Sequence, residues 1–355
     1  MNRFIQKSSL LFSLLLTLIL GSSPALAEES SSFKENQTDL LTLSEEIDNL
    51  IQTYHYNPRE LEGEAYREQV RKIREIALST DSSGDFISAF NHAWQNGPFS
   101  HVRLTQAHQS ADELARFLDG MNVGGNGVQL ELDGSTAIMT VNTMMGQDTI
   151  EQIFDAYQLI HEQGISFLVI DLRNNDGGAF AIRPLIGHLI SQPTEGGYFI
   201  SRKWASSHTR KPSGAEVESI SPWDGWSIVR FWQDVQTSDI LRMQHHPMKP
   251  RFSGHIYVLV SEQTFSAAEI AVSAIKGLPN ATIIGERTAG EVLSQKVFDV
   301  APGYHLFLPV ADYYSAKGIR IEGKGISPDI EASAEEAMAI AQQQIDKIKA
   351  GLGTD

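Results

Sequence analysis

The sequence predicts an α/β protein led by a small helical region, and two observations carry that reading. From Leu40 to Trp94 apolar residues recur at three- and four-residue steps, the period of helices with one buried face. Past residue 125 the pattern changes to short, β-branched apolar runs separated by turn signals and helical segments, the alternation expected of a sheet covered by helices.

The chain has 355 residues, enough for about two domains. Hydrophobic residues make up 41% and charged residues 20%, a globular balance that excludes whole-chain disorder and coiled coil. With 28 Lys+Arg against 44 Asp+Glu the formal charge is −16, which argues against nucleic acid as a partner. The absence of cysteine excludes disulfides, thiolate metal sites and a cysteine nucleophile.

Residues 1–27 read as a secretory signal. Arg3 and Lys7 precede a short apolar run, Leu10 to Leu20, and Ala25-Leu26-Ala27 puts small residues at the −3 and −1 positions of a cleavage site. An uncleaved anchor is the alternative; no later run is long enough to span a membrane, so the mature chain is expected outside the cytoplasm, periplasmic or extracellular. Residues 28–39, rich in Glu, Ser, Asn and Gln, read as a flexible leader.

The N-terminal helical domain is expected over 40–104. Leu43, Ile47, Leu50 and Ile51 share a face, as do Tyr66, Val70, Ile73, Ile76 and Ala77, then Phe86, Ala89, Phe90 and Trp94. Asn96-Gly97-Pro98 stops the last helix. The core is expected over 105–335. Val128 to Leu132 and Ala137 to Val141 flank Asp133-Gly134 as a hairpin. A helix over 149–163 leads to a buried strand, Phe167 to Ile170; a strand at 256–260, a helix from Ser266 and a strand at 282–284 repeat the alternation. Strands are expected at 297–300 and 306–310, and a C-terminal helix and tail over 336–355. The segment 203–250 reads as irregular; its tryptophans Trp204, Trp223, Trp226 and Trp232 suit either aromatic packing under a long loop or the lining of a substrate channel. His245-His246 reads as surface, because adjacent side chains point apart and no carboxylate framework surrounds them.

Three places combine a special backbone with reactive side chains. Asp171-Leu172-Arg173-Asn174-Asn175-Asp176-Gly177-Gly178 follows the strand 167–170, and paired glycines at a strand's carboxyl end let N–H groups face a ligand; an ordinary tight turn explains them equally well in isolation. Ser266 opens a helix just past a strand, where the dipole and the next N–H favour developing negative charge. Taken alone, Ser266 with Glu269 reads as a capping box. Ser100-His101 follows the helical region, and histidine is the common base for a serine.

Together these motifs resemble the tail-specific, or C-terminal processing, proteases. Asp171 to Gly178 matches their D-x-R-x-N-x-G-G signature, and Ser266-Ala267-Ala268-Glu269 their S-A-x-E nucleophile motif. Gly285-Glu286-Arg287-Thr288-Ala289-Gly290 matches G-E-x-T-x-G, and Gly323 to Asp329 matches the closing G-x-G-(I/V)-x-P-D. In the serine–lysine branch a lysine follows that turn; here the position holds Glu291. The resemblance therefore points to the branch of the tricorn protease core and the interphotoreceptor retinoid-binding protein modules.

The resemblance implies a ClpP/crotonase-like spiral core and an exported serine peptidase acting on peptide or protein substrates, without cofactor or metal. In that reading Ser266 is the nucleophile and His101 the base, with Glu322 and Ser100 assisting. The N–H groups of Gly178 (or Gly177) and Ala267 form the oxyanion hole. Residues 105–125 are too few for a PDZ insertion, so substrate tails are expected to be recognised elsewhere. The retinoid-binding branch supplies a rival from another class, a non-catalytic module for a hydrophobic ligand or peptide.

Overall fold

The computed structural model describes residues 40–352; the expected signal and leader lie outside the described residues. In chain order the helices are α1 (Leu40–Tyr54), α2 (Glu64–Ser79), α3 (Ser83–Trp94), α4 (Ala111–Gly120), α5 (Gln147–Glu162), α6 (Ile182–Gly187), α7 (Arg202–Ser207), α8 (Gly214–Glu218), α9 (Ile228–Thr237), α10 (Ala267–Ile275) and α11 (Ala337–Leu352). The strands are β1 (Arg103–Gln106), β2 (Val128–Asp133), β3 (Thr136–Val141), β4 (Phe167–Asp171), β5 (Thr194–Ser201), β6 (Ile240–His245), β7 (His255–Val260), β8 (Ala281–Gly285), β9 (Ser294–Asp299), β10 (Tyr304–Tyr314) and β11 (Ile330–Glu331).

The chain divides into two compact units. The first contains residues up to Glu113 together with Gln295–Val310. Its helices bury the faces their spacing predicts: Leu43, Ile47 and Ile51 on α1, Tyr66 and Ile73 on α2, Phe86 and Phe90 on α3. Ser82 caps α3 by accepting the Asp85 N–H. Strand β1 pairs antiparallel with residues 304–307 of β10, and Tyr56 donates its N–H to the Pro309 carbonyl. This pairing gives 295–310 to the helical unit, so the unit is not the contiguous 40–104 of the sequence reading. Pairing between segments some two hundred residues apart leaves no local pattern.

The second unit holds Leu114–Ser294 and Ala311–Asp355. Its main sheet runs β11-β8-β7-β4-β3-β2, parallel except for the β2–β3 hairpin. The central strands are buried on both faces, and alternation divides their side chains. Leu168, Ile170, Ile256 and Val258 join one core with Ile153 and Tyr157 of α5, Leu185 of α6 and Val272 of α10. Phe167, Val169, Tyr257 and Leu259 meet Ala337, Ala341 and Ile345 of α11 on the other face. Within the same unit, residues 311–314 of β10 pair with β5, and β5 with β6.

The segment 203–250 is not irregular: it holds α7, α8, α9 and β6, with β5 just before it. Of the helices, α7 and α8 are too short to establish a period, and β5 carries Gly196 and Gly197 with a register shift between Glu195 and Gly197. Trp204, Trp223 and Trp232 are buried, while Trp226 is 45% exposed. His245, read as surface, is buried at the end of β6, and only His246 is exposed.

Candidate active site

At the carboxyl end of β4 the chain turns through Asp171 to Gly178 beside the end of β7. Arg173 clamps Asp171 with two parallel bonds (Nε to Oδ1 2.9 Å, Nη2 to Oδ2 2.6 Å) and donates Nη1–H to the Ala334 carbonyl at 2.6 Å. Thr264 Oγ1 donates to the Leu172 carbonyl (2.7 Å), and Asn175, fully buried, donates Nδ2–H to the Val141 carbonyl (2.8 Å). Asn175 Oδ1 in turn accepts the Gly177 N–H at 2.9 Å.

These bonds hold the two glycines at φ 86° and 137°, conformations suited to glycine. A Cβ on Gly177 would lie 2.6 Å from Ser266 Cβ and 3.2 Å from Ser266 Oγ. One on Gly178 would lie 2.5 Å from both the carbonyl carbon of Met144 and the nitrogen of Met145. The loop thus needs both glycines, and Gly177 touches the serine that the motifs single out. The Gly177 N–H is committed to Asn175. The N–H of Gly178 donates to no acceptor among the described residues.

Ser266 stands where β7 passes into α10, at φ 59° and ψ −124°. Three non-glycine residues have positive φ among those described: Ser266, His101 and Ala301. Such backbone costs about 1–3 kcal/mol per residue and is held by its surroundings. Here the Ser266 N–H donates to the Glu291 carbonyl (3.0 Å) and to Glu269 Oε2 (3.3 Å). Ser266 and Glu269 thus form the capping box that their spacing suggests, with the Glu269 N–H also donating to the Ser266 carbonyl (2.9 Å). Ala267, the first residue of α10, has an N–H without an acceptor among the described residues, as expected at a helix start.

Glu269 has a larger part than the cap that the sequence reading gave it. It is fully buried and accepts from Thr288 Oγ1 (2.6 Å) and from the N–H groups of Gly290 (2.8 Å) and Glu291 (2.9 Å) as well as Ser266. Burial pushes its carboxyl up to about 7, against the four donors that favour the charged form. Its signal was the S-A-x-E spacing itself.

Glu322, also buried, accepts the N–H groups of Val292 (2.8 Å) and Leu293 (3.2 Å) through Oε2. It therefore pins the residues directly after Glu291, whose carbonyl holds Ser266. Gly323 N–H donates to the Gly290 carbonyl (2.8 Å) and strengthens the same seam. Lys276 is occupied elsewhere, bonding the Ser327 carbonyl (2.9 Å) and Asp329.

All of these residues belong to the second unit; Ser100 and His101 belong to the first. Ser100 Oγ and His101 Nδ1 are 2.7 Å apart, and His101 has φ 63°. Lys296 is also in the first unit, with Nζ over the Phe298 ring at 5.0 Å.

Residues 135–332 match peptidase family S41, more than half of the chain. The chain belongs to that family. Over 180 residues it is 27% identical to the chloroplastic C-terminal processing peptidase of Tetradesmus obliquus, covering 51% of this chain and 32% of that one. Over 213 residues it is 24% identical to a probable CtpA-like serine protease of Staphylococcus epidermidis, covering 60% and 37%. The chain thus spans about a third of the length of these S41 relatives. In fold it resembles a Streptococcus agalactiae lipoprotein, with TM-score 0.55 and 16% identity over 91% of this chain and 99% of that one. Among the described residues no helix is long and apolar enough to cross a membrane.

Proposed function

We propose that this S41 chain is an exported serine peptidase that hydrolyses peptide bonds in proteins or peptides through Ser266, His101 and Glu322. One observation carries the reading. Ser266 is fixed at a strained strand-to-helix turn with its hydroxyl donating to no acceptor among the described residues, and the uncommitted N–H groups of Gly178 and Ala267 belong to the two segments that form its surroundings.

In this mechanism Ser266 Oγ attacks the scissile carbonyl carbon while His101 takes its proton. With Nδ1 protonated and donating to Ser100, the His101 Nε2 is left as the acceptor. The carbonyl oxygen becomes an oxyanion held by the Gly178 and Ala267 N–H groups, each commonly worth about 3–4 kcal/mol. His101 then returns the proton to the leaving amine, and water releases the acyl group by the same route. Glu322 acts through the backbone, holding Val292 and Leu293 so that the Glu291 carbonyl keeps Ser266 in its strained conformation. Glu291 in place of a lysine favours the histidine base. The signal-like residues 1–27 support export to the periplasm or beyond.

The test is hydrolysis of an unstructured polypeptide by the purified mature chain. Turnover should disappear in Ser266→Ala and persist in the presence of a metal chelator. Unchanged turnover in Ser266→Ala would overturn the assignment.

A further inference from the structure

The loop that ends in Gly178 leads directly into an aromatic cluster with one arginine in it. Phe180, two residues past Gly178, packs on Trp223 and Trp226 with ring centroids 6.4 and 6.2 Å apart. The Cα atoms of Gly178 and Phe180 are thus within about 7 Å of each other. Arg183, on the first turn of α6, lays its guanidinium over the same two indoles, 4.7 Å from the Trp226 centroid and 5.4 Å from that of Trp223. Trp223 is fixed from behind, its Nε1–H donating to Asp234 Oδ2 at 2.7 Å. Trp226 is left 45% exposed.

Arg183 is out of balance with these surroundings. Its Nη2 is buried without a hydrogen-bond partner, and no carboxylate lies within ion-pairing distance among the described residues. Asp224 is the acidic group that acts on it, but Asp224 is engaged by Arg230 Nη2 at 2.8 Å. Burial draws Arg183 down to about 10, with Asp224 opposing, so the guanidinium is still charged at neutral pH. His245, the nearby buried base, is pushed down to about 4 by its own burial and then by Arg183. It is neutral at working pH and adds no second positive charge beside Arg183. A planar cation stacked on indoles with no ion-pair partner among the described residues is the arrangement that takes a carboxylate through charge-assisted N–H···O bonds.

We propose that Arg183, on the platform of Phe180 and Trp226, binds a carboxylate of the substrate beside the scissile bond. This rests on the peptidase reading for what that carboxylate belongs to: the free C-terminus of the peptide or an acidic side chain near the cleavage point. The indoles hold the neighbouring apolar atoms, and the guanidinium selects the charge.

The experiment is a titration of the full mature chain carrying Ser266→Ala, followed by NMR of the Arg183 Nε–H and Trp226 indole N–H signals. The probes are acetyl-trialanine as the free acid, the same peptide as its C-terminal amide, and an amidated acetyl-Ala-Glu-Ala. The inference predicts saturable shifts of both signals with at least one carboxylate-bearing probe, at an affinity at least ~10-fold above the neutral amide. The free acid identifies the terminus as the source, and the glutamyl amide identifies a side chain. Adding Arg183→Gln should erase the difference while the remaining indole signals keep their dispersion. Equal shifts with all three probes, or no shift with any, would overturn the inference. Failure of Ser266 to react with an active-site phosphonate would remove the peptidase reading and leave these titrations intact, so the two failures are distinguishable.

Discussion

Gly177 leaves no room for a side chain against Ser266: a Cβ built on it would sit 2.6 Å from Ser266 Cβ and 2.9 Å from the Phe265 carbonyl oxygen. The glycine loop after β4 and the serine turn after β7 are thus parts of one surface. Gly177→Ala should displace Ser266, cutting kcat at least ~100-fold, as misplacement by about 1 Å does. It should also cost about 1–3 kcal/mol for a side chain at φ 86°. Turnover near that of the unmodified chain would show that the loop does not set the position of Ser266.

Glu322 and Ser266 communicate through a peptide segment, which sets the form of a second prediction. Glu322→Ala frees the Val292 and Leu293 N–H groups and loosens the Glu291 carbonyl. We expect kcat to fall ~10–100-fold with KM little changed, because the loss is of positioning and not of substrate contact. Glu322→Gln, which keeps an acceptor oxygen, should recover much of it. Equal damage from both variants would assign the carboxylate charge itself a role.

The base is decided by two further variants. His101→Ala should remove turnover by at least ~100-fold, the contribution of a positioned base. Lys296→Ala should stay within a few-fold, because the amine lies over the Phe298 ring. The reverse pattern, measured on one peptide substrate, would replace the histidine with a lysine.

Glu269 predicts a pH dependence of stability. Its carboxyl titrates near 7 in the folded chain against 4.5 for the free group. Between those values the folded chain holds a proton that the unfolded chain has lost, so its contribution is complete below about 4.5, declines as pH rises to 7 and is flat above. The decline amounts to roughly 3 kcal/mol at about 1.4 kcal/mol per pH unit. Chemical denaturation of Glu269→Gln across this range should show a flattened slope on a less stable protein, since an amide N–H₂ must face the Gly290 or Glu291 donor. An unchanged slope would assign the dependence to other groups.

Much of the second unit was legible from local pattern. Continuous apolar runs marked β4 and β7, Asp133-Gly134 marked the hairpin, and each motif fell at a strand's end. What was not legible depends on distant pairing or burial. Nothing near residue 300 indicates that 304–307 pair with β1, and α7 and α8 carry too few turns to show a period. His245 looked like one of a surface pair because burial of one neighbour and exposure of the other is set by β6 and not by the dipeptide. Arg183 had no motif; only the indoles packed against it single it out.

The most direct test of the central claim is covalent. The purified mature chain is treated with a fluorophosphonate probe, and the modified peptide is mapped by mass spectrometry. An activated nucleophile predicts one adduct on Ser266, absent in Ser266→Ala and strongly reduced in His101→Ala. A folded chain that leaves Ser266 unmodified, or carries the adduct on another serine, would contradict the account and leave the scaffold as a binding module.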